Sequence, residues 1–154
     1  MSLTRRKARG LALQSLYEID LTKHSADEVL SCILTDLDLT EENASFTRAL
    51  VKGVRSHLGQ IDPKIARYAP AWPVNQLSPV DRNILRLAIF ELLFDNETPV
   101  RVAINEAVEL AKNYGSENSA RFINGVLSSI SQNTKKSDST ESQEEQSGHS
   151  SGAH

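Results

Sequence analysis

One stretch of the sequence decides the fold: residues 78–93, which read SPVDRNILRLAIFELL. Ser78 supplies a polar N-cap, and Pro79 stands at the first helical position, where the missing N–H of proline costs nothing. The residues that follow are apolar on more than one face of a helix. This pattern predicts that segment 79–94 is the central and most buried helix of the protein.

The segments on either side carry apolar residues at helical spacing, and none alternates with period two for long enough to form a sheet. Ser25 and Thr40 are candidate N-caps. Asp62 before Pro63 repeats the start signal of the central helix, and Gly59 is a candidate helix stop. The predicted helices cover roughly residues 5–20, 25–37, 41–58, 79–94, 99–115 and 117–130, and a further helix is predicted to begin at Pro63. The predicted fold class is therefore all-α, with about seven helices.

The domain limits follow from composition. Residues 68–73 are the richest in helix breakers, and we expect them to join two helical halves with Trp72 packed at the junction. From residue 131 to residue 154 the only apolar side chain is Ala153. Such a stretch cannot bury enough surface to offset its ordering entropy, so it is predicted to be a disordered tail. The predicted folded domain is 1–130.

Charge and composition exclude several classes of protein. The net charge is −3, yet residues 1–10 hold four basic residues and no acid, which indicates a localised contact with a polyanion. A single cysteine, Cys32, excludes an intrachain disulfide and fits a reducing compartment such as the cytoplasm. No apolar run is long enough to cross a membrane. The four histidines include no pair at the helix-face spacing of a metal site, and no cysteine pair or glycine-rich phosphate loop is present, so we expect no metal, no cofactor and no enzymatic activity.

The basic start of the chain calls for an explanation. Arg5, Arg6, Lys7 and Arg9 fall in the first turns of a helix, where a cation is unfavourable by about 0.3–1 kcal/mol at low salt. One interpretation is a basic start that only aids solubility. The other is an arm that binds phosphates, with Arg5 and Arg9 on the side opposite the apolar stripe.

A second candidate segment is 113–122, which reads NYGSENSARF. Recognition of single-stranded RNA needs exposed aromatic and polar side chains, and this corner between two helices offers both. Asn118 and Phe122 share a helix face, with Arg121 close to them. The periodicity alone favours burial of Phe122 with Val126, so whether its ring lies in the core or faces RNA stays open at this point.

Four ordered motifs resemble the NusB family of bacterial transcription antitermination factors. They are residues 78–88 (SPVDRNILRLA), 102–112 (VAINEAVELAK), 121–127 (RFINGVL), and the arginine-rich start 5–9 (RRKAR) with the Leu16-Tyr17 pair that follows. The resemblance spans roughly residues 4–130.

The resemblance implies an all-helical fold of two small bundles. It also implies binding to the single-stranded boxA element of ribosomal RNA leader transcripts, together with the ribosomal protein NusE, within the RNA polymerase antitermination complex. The RNA-binding positions of the family map onto Arg5, Arg6, Lys7, Arg9, Tyr114, Asn118, Arg121 and Phe122. The positions that face NusE map onto Tyr17 and Asp81. Position 118 is often Asp in the family, and Asn removes a negative charge beside a phosphate-rich ligand.

Two other functions compete with this one. The same fold occurs as the RNA-binding domain of certain ribosomal RNA cytosine-5 methyltransferases, which would require a catalytic domain after Ile130. A helical adaptor that binds only proteins would be favoured if the basic arm were dispensable. Both a monomer and a homodimer remain open.

Overall fold

The computed structural model describes residues 2–35, 39–95 and 97–134. Within these ranges the chain is all-helical and has no strand, which confirms the predicted fold class of about seven helices. The elements are α1 (Ser2–Thr22), α2 (Ala26–Thr35), α3 (Glu41–Ser56), α4 (Leu58–Tyr68), the short 3-10 turn Val74–Gln76, α5 (Pro79–Leu93), α6 (Val100–Tyr114) and α7 (119–134).

Three predicted start signals are confirmed by hydrogen bonds. The Oγ of Ser78 accepts from the backbone N–H of Asp81 at 3.1 Å, and Pro79 is the first residue of α5. Thr40 Oγ1 accepts from the N–H of Asn43, and Ser25 Oγ from that of Glu28, each at 3.2 Å. Each cap satisfies a backbone donor that has no partner inside its own helix.

The junction between α3 and α4 differs from the prediction. Asp62 does not cap a helix that starts at Pro63, because α4 already begins at Leu58 and contains both Gly59 and Pro63. The early start places Ile61 and Ile65 on one face, where both are fully buried. The free energy gained by burying this face exceeds the cost of losing the one backbone hydrogen bond that Pro63 cannot donate.

Helix α5 is the centre of the fold, as predicted. Its apolar side chains are buried on several sides, and α5 contacts α1, α3, α4 and α6. Helices α1, α2 and α3 pack on one another, while α4 and α6 pack on α5, so α5 joins two small groups of helices. Residues of α7, among them Ile123 and Leu127, complete the same core. A Cβ at Gly53 would overlap the Phe90 ring, so a residue without a side chain lets α3 approach α5 closely.

The prediction for Trp72 is wrong. Its side chain is 57% exposed and is not packed between two halves of the protein. The core is continuous from α1 to α7, so it has no junction that a tryptophan could fill. At the other end, α7 stays helical to residue 134, four residues beyond the predicted domain limit. The rest of the predicted disordered tail, 135–154, lies outside the described residues.

A polar network ties α1 to the beginning of α5. The Asp20 carboxylate accepts hydrogen bonds from Arg82 Nε and Nη2 at 2.9 and 2.6 Å, and from Asn83 Nδ2 at 3.1 Å. Arg86 continues the network: its Nη1 lies 3.5 Å from Asp20, and its Nε and Nη2 each donate to Asp62 of α4 at 2.9 Å. The two arginines of an otherwise apolar helix, Arg82 and Arg86, are therefore paired, as burial requires.

A second ion pair joins the two helices near their other ends. Arg9 is 6% exposed and donates from Nε and Nη2 to the Glu91 carboxylate, at distances between 2.8 and 3.3 Å. The side chain of Glu91 also accepts from Thr98 Oγ1 at 3.1 Å. Because Arg9 pairs with Glu91 and Asp20 with Arg82, α1 and α5 run antiparallel.

The Asp20 network makes a testable contribution to stability. Burial alone would raise the pKa of Asp20, but hydrogen bonds from Arg82 and Asn83 and the charges of Arg82 and Arg86 lower it below its ordinary value. Asp20→Asn should therefore lose about 3 kcal/mol of unfolding free energy at pH 7, as expected when one partner of a largely buried pair is removed. Urea denaturation across pH measures this loss.

The direction of the pKa shift of Asp20 determines how this loss of stability depends on pH. Because the folded pKa of Asp20 lies below the unfolded value of about 3.9, its contribution is complete above that value and is lost as the pH falls through the folded pKa. The gap between wild type and Asp20→Asn should close in that acidic range. The matched control is Asp27→Asn, which removes an exposed aspartate 3.8 Å from Lys52 in the first turn of α2 and should cost no more than about 1 kcal/mol. A gap that is the same at every pH would contradict the assignment.

Candidate nucleic-acid interface

The basic residues of α1 fall into different environments. The Arg5 guanidinium lies 3.9 Å from the centre of the Phe46 ring and 3.6 Å from a Glu42 carboxylate oxygen. Arg6 makes a two-bond ion pair with Glu106 of α6 at 3.2 and 2.9 Å, and this pairing raises the pKa of Arg6. Lys7 is exposed and makes no ion pair with any residue that the structure describes. Arg5 and Arg6 remain partly exposed.

The prediction that Arg9 belongs to the exposed arm is wrong. Its side chain points into the protein and is held by Glu91. Helical spacing puts Arg9 one turn beyond Arg5, but α5 and α3 cover that turn, and Glu91 provides the buried counter-charge. Arg9 therefore stabilises the fold and is not available to a phosphate.

A groove between α1 and α6 brings Arg6 and Lys7 together with Tyr114. Its volume is about 350 Å³. Gly10 forms part of its floor: a Cβ there would lie 3.2 Å from the Tyr114 hydroxyl, so the tyrosine ring packs directly over the α1 backbone. Tyr114 is nevertheless 44% exposed. The lining residues are Arg6, Lys7, Gly10, Leu11, Gln14, Leu110, Asn113 and Tyr114. We call this the basic groove.

Two polar members of the basic groove were not among the predicted site residues: Gln14, and Asn113, which was included only as the first residue of the candidate segment 113–122. The available signal was spacing: Lys7 and Gln14 are two turns apart on one face of α1, and Asn113 precedes the predicted Tyr114. Only the packing of α6 against α1 shows that these side chains line one surface.

The predicted partner residue Tyr17 lines a second, apolar groove on the other side of Tyr114. This groove has a volume of about 360 Å³ and lies between α1, the first turn of α5 and the end of α6. Tyr17 is 39% exposed there, beside the exposed Leu21 and beside Val80. An exposed apolar surface of this kind is typical of a protein-binding site.

Asn118 and Phe122 lie apart from the basic arm, in a third groove that also contains the predicted partner residue Asp81. Its volume is about 260 Å³. The exposed Trp72 and the half-buried Phe122 line it together with Asp81 and Asn118, and we call it the Asp81 groove. Arg121 is exposed next to it in sequence. The predicted RNA residues thus divide between two surfaces.

The corner that separates these surfaces is compact. Gly115 ends α6, and a Cβ there would lie 2.5 Å from Ser119 Oγ and 2.8 Å from the Ala111 carbonyl oxygen. Ser119 is buried, and its Oγ accepts from the N–H of Ser116 at 2.9 Å. Asn118 therefore stands just before α7, whose first described helical residue is Ser119. The side chains of Tyr114 and Asn118 are directed to different grooves because this turn lies between them.

The part of the chain that the structure describes contains neither a candidate metal site nor a candidate membrane span. Residues 2–35, 39–95 and 97–134 contain no group of three or more histidine, cysteine or acidic side chains that could hold a metal ion. In the same part of the chain, no helix has the length and apolar character needed to cross a membrane.

The sequence comparisons identify a family. The model of the NusB family matches residues 6–132. A relative from Dehalococcoides mccartyi, named transcription antitermination protein NusB, is 56% identical over 131 residues, which cover 85% of this chain and 92% of the relative. A protein of the same name from Chloroflexus aggregans is 50% identical over 128 residues, covering 82% of this chain and 85% of the relative.

Solved structures agree with this result. The structure of T. maritima NusB has a TM-score of 0.78 and 39% sequence identity, with 83% of this chain and 90% of that chain covered. A chain from a crystal structure of antitermination factors NusB and NusE in complex with dsRNA has a TM-score of 0.76 and 30% identity, with 86% and 98% covered. The predicted resemblance is confirmed: the chain belongs to the NusB family.

Proposed function

We propose that this protein is a transcription antitermination factor that binds boxA-type RNA of ribosomal RNA leader transcripts together with NusE. It would act in the cytoplasm as part of the RNA polymerase antitermination complex. The observation that carries the RNA-binding part of the proposal is the basic groove, in which Arg6 and Lys7 of α1 lie beside the exposed Tyr114 of α6.

The groove contains the groups that recognition of single-stranded RNA requires. Lys7 has no described counter-charge, and the partly exposed Arg6 can turn from Glu106 toward a phosphate. Arg5, which does not line the groove but precedes Arg6 in α1, can turn from Glu42 in the same way. Tyr114 offers a ring on which a base can stack. The amides of Gln14 and Asn113 can both donate to and accept from base edges. Phosphate contacts would set the position of the strand, and the amides would contribute specificity.

The family evidence favours antitermination over the two competing functions. The curated relatives reported above are named antitermination proteins, and the chain covers 92% of the length of one of them. A solved relative is described as bound to NusE and to dsRNA. An antitermination factor acts by binding, so the proposal needs no catalytic residue. NusE would contact the apolar groove at Tyr17 and the neighbouring Asp81.

A titration of fluorescent boxA-type RNA tests the proposed function. Single-stranded RNA should bind to the protein alone and more tightly when NusE is present, and a scrambled RNA of the same length should bind more weakly. A duplex of the same sequence shows which RNA form is preferred. Equal affinity for boxA and scrambled RNA, with no effect of NusE, would contradict the proposal. Sedimentation of the RNA-free protein determines whether it is a monomer or a homodimer.

The basic arm should account for the salt dependence of RNA binding. Three phosphate contacts, from Arg5, Arg6 and Lys7, predict a slope of log affinity against log salt near −0.7 × 3, or about −2. Replacing all three residues by Gln should bring the slope close to zero while leaving the helix content unchanged. The measurement is RNA affinity at several salt concentrations.

The control for the arm is a triple variant at exposed basic positions elsewhere, Lys52, Arg55 and Arg67, also changed to Gln. It lowers the net charge by the same amount but removes no residue of the basic groove, so it should keep most of the slope. If both triple variants flatten the slope equally, the arm has no special role.

Tyr114 should contribute to affinity through its ring. Tyr114→Ala is expected to lose about 1–3 kcal/mol of RNA-binding free energy, as for a stacked base. Tyr114→Phe keeps the ring over Gly10 and should bind almost as well as wild type. RNA titration and thermal denaturation of both variants separate lost stacking from lost folding. Equal losses of affinity in the two variants would show that the hydroxyl is responsible and not the ring.

A further inference from the structure

Glu106 of α6 is a nearly buried carboxylate behind the basic groove, and the proposed function gives it no role. Among the three charged side chains of segment 102–112, that of Glu106 is 12% exposed, that of Glu109 36% and that of Lys112 59%. A carboxylate with so little access to water needs a partner, and Arg6 of α1 is that partner. Glu106 does not itself line the basic groove, so it can act on a ligand there only through Arg6.

The ion pair leaves part of the Arg6 guanidinium free. Nε and Nη2 donate to the two carboxylate oxygens of Glu106 at 3.2 and 2.9 Å, with one bond to each oxygen. A guanidinium has five N–H groups in one plane, so three remain, and the two on Nη1 donate to no residue that the structure describes. The Arg6 side chain is 42% exposed and lines the basic groove with Lys7 and Tyr114. The free edge of the guanidinium can therefore meet a phosphate while the other edge stays on Glu106.

Arg6 can reach a phosphate by two routes. It can turn from Glu106, which leaves a carboxylate with little access to water and no counter-charge. It can also keep the pair and donate from its free edge. In the second route the side chain is already fixed in the free protein, so RNA binding does not have to restrict its rotamers. The burial of Glu106 therefore favours the second route.

We propose that Glu106 is a positioning residue for RNA, which holds Arg6 at the basic groove so that the free edge of its guanidinium donates to one phosphate of the bound strand. The inference rests on the proposed function and gives Glu106 a part in the choice between RNA ligands. A donor that is fixed in place fits a strand whose bases also contact Tyr114 and the groove amides, and a strand in another position loses this contact. The carboxylate also offsets the charge of Arg6 and so reduces its attraction for phosphates in general.

Two simpler roles of Glu106 make different predictions. If Glu106 only attached α1 to α6, its removal would lower stability and would weaken the binding of all RNAs alike. If it only competed with phosphates for Arg6, its removal would strengthen the binding of all RNAs alike. Positioning predicts opposite changes for a matched and an unmatched strand, because the matched strand loses a fixed contact while the unmatched strand gains a freed charge.

The experiment compares Glu106→Gln with the wild type in titrations of fluorescent boxA-type RNA and of a scrambled RNA of the same length. Gln keeps the size of the side chain but removes its charge and one of the two acceptor oxygens that hold Arg6. The affinity for boxA-type RNA should fall by about fivefold and that for scrambled RNA should rise by about twofold, so the ratio of the two affinities should fall by about tenfold.

Glu109→Gln is the matched control, because it removes the same charge from the same helix. Glu109 is close enough for its charge to act on Arg6, but its own ion pair is with Lys112 at 3.8 Å. The variant leaves both hydrogen bonds of the Arg6–Glu106 pair in place. It should change the affinities for the two RNAs in the same direction and by no more than about twofold, which keeps their ratio.

A second variant tests the same contact from the other side. Arg6→Lys keeps the positive charge but cannot hold a carboxylate with one edge and a phosphate with the other. It should weaken the binding of boxA-type RNA about as much as Glu106→Gln does. The double variant should bind no more weakly than Arg6→Lys alone, because the two residues act through one contact.

The outcomes separate this inference from the proposed function. If the wild type prefers boxA-type RNA and Glu106→Gln keeps that preference, or binds both RNAs more tightly, the inference is overturned and the proposed function stands. If the wild type does not distinguish the two RNAs, both fail. Circular dichroism and thermal denaturation verify that Glu106→Gln is folded. If it does not fold, Arg6→Lys decides, and wild-type affinity of that variant for boxA-type RNA would overturn the inference.

Discussion

The antiparallel register of α1 on α5, held by one buried and one partly buried ion pair, is the constraint on which the functional surfaces depend. Arg9 pairs with Glu91 and Asp20 with Arg82, and both pairs use two-bond guanidinium contacts. Arg9 and Asp20 are eleven positions apart, about 16.5 Å along the helix, and Arg82 and Glu91 are nine positions apart, about 13.5 Å, so the two spacings agree to within about 3 Å. A shift by one turn would leave four charges unpaired in a low-dielectric interior.

This register places the α1 residues that carry function. With Arg9 and Asp20 turned inward, Lys7 and Gln14 face α6 across the basic groove, and Tyr17 lies beside Val80 at the first turn of α5. The ion pairs need not add much net stability, because an apolar core of the same volume can be as stable. Their clearer effect is on alignment, since apolar packing alone tolerates sliding between helices more readily than paired charges do.

Charge is divided between the surfaces in a way that fits two different ligands. The basic groove carries Arg6 and Lys7, and the apolar groove lies between it and the Asp81 carboxylate, which pairs with no lysine or arginine of the described residues. Tyr114 is shared by the first two grooves, so its ring borders both an RNA surface and a protein surface in the proposed function. This proximity offers a physical reason why NusE and RNA would affect each other's binding: ordering Tyr114 for one ligand lowers the cost of ordering it for the other.

The sequence by itself determined the helical fold, because apolar spacing and capping chemistry are local: Ser78, Thr40 and Ser25 begin their helices as predicted. The four ordered motifs likewise sufficed to identify the family. Only the tertiary structure decided the roles of individual charged and aromatic residues. Arg9 and Lys7 are both basic residues of α1, yet Arg9 is buried in an ion pair with Glu91, whereas Lys7 is exposed to solvent. Trp72 and Asp81 likewise line one groove with Asn118 and Phe122 because segments 72–81 and 116–122, which are distant in sequence, pack together. The residue that pairs with a given side chain, such as Glu91 with Arg9, is far away in sequence. Local periodicity predicts which face of a helix a residue lies on, but it does not predict which distant residue packs against that face.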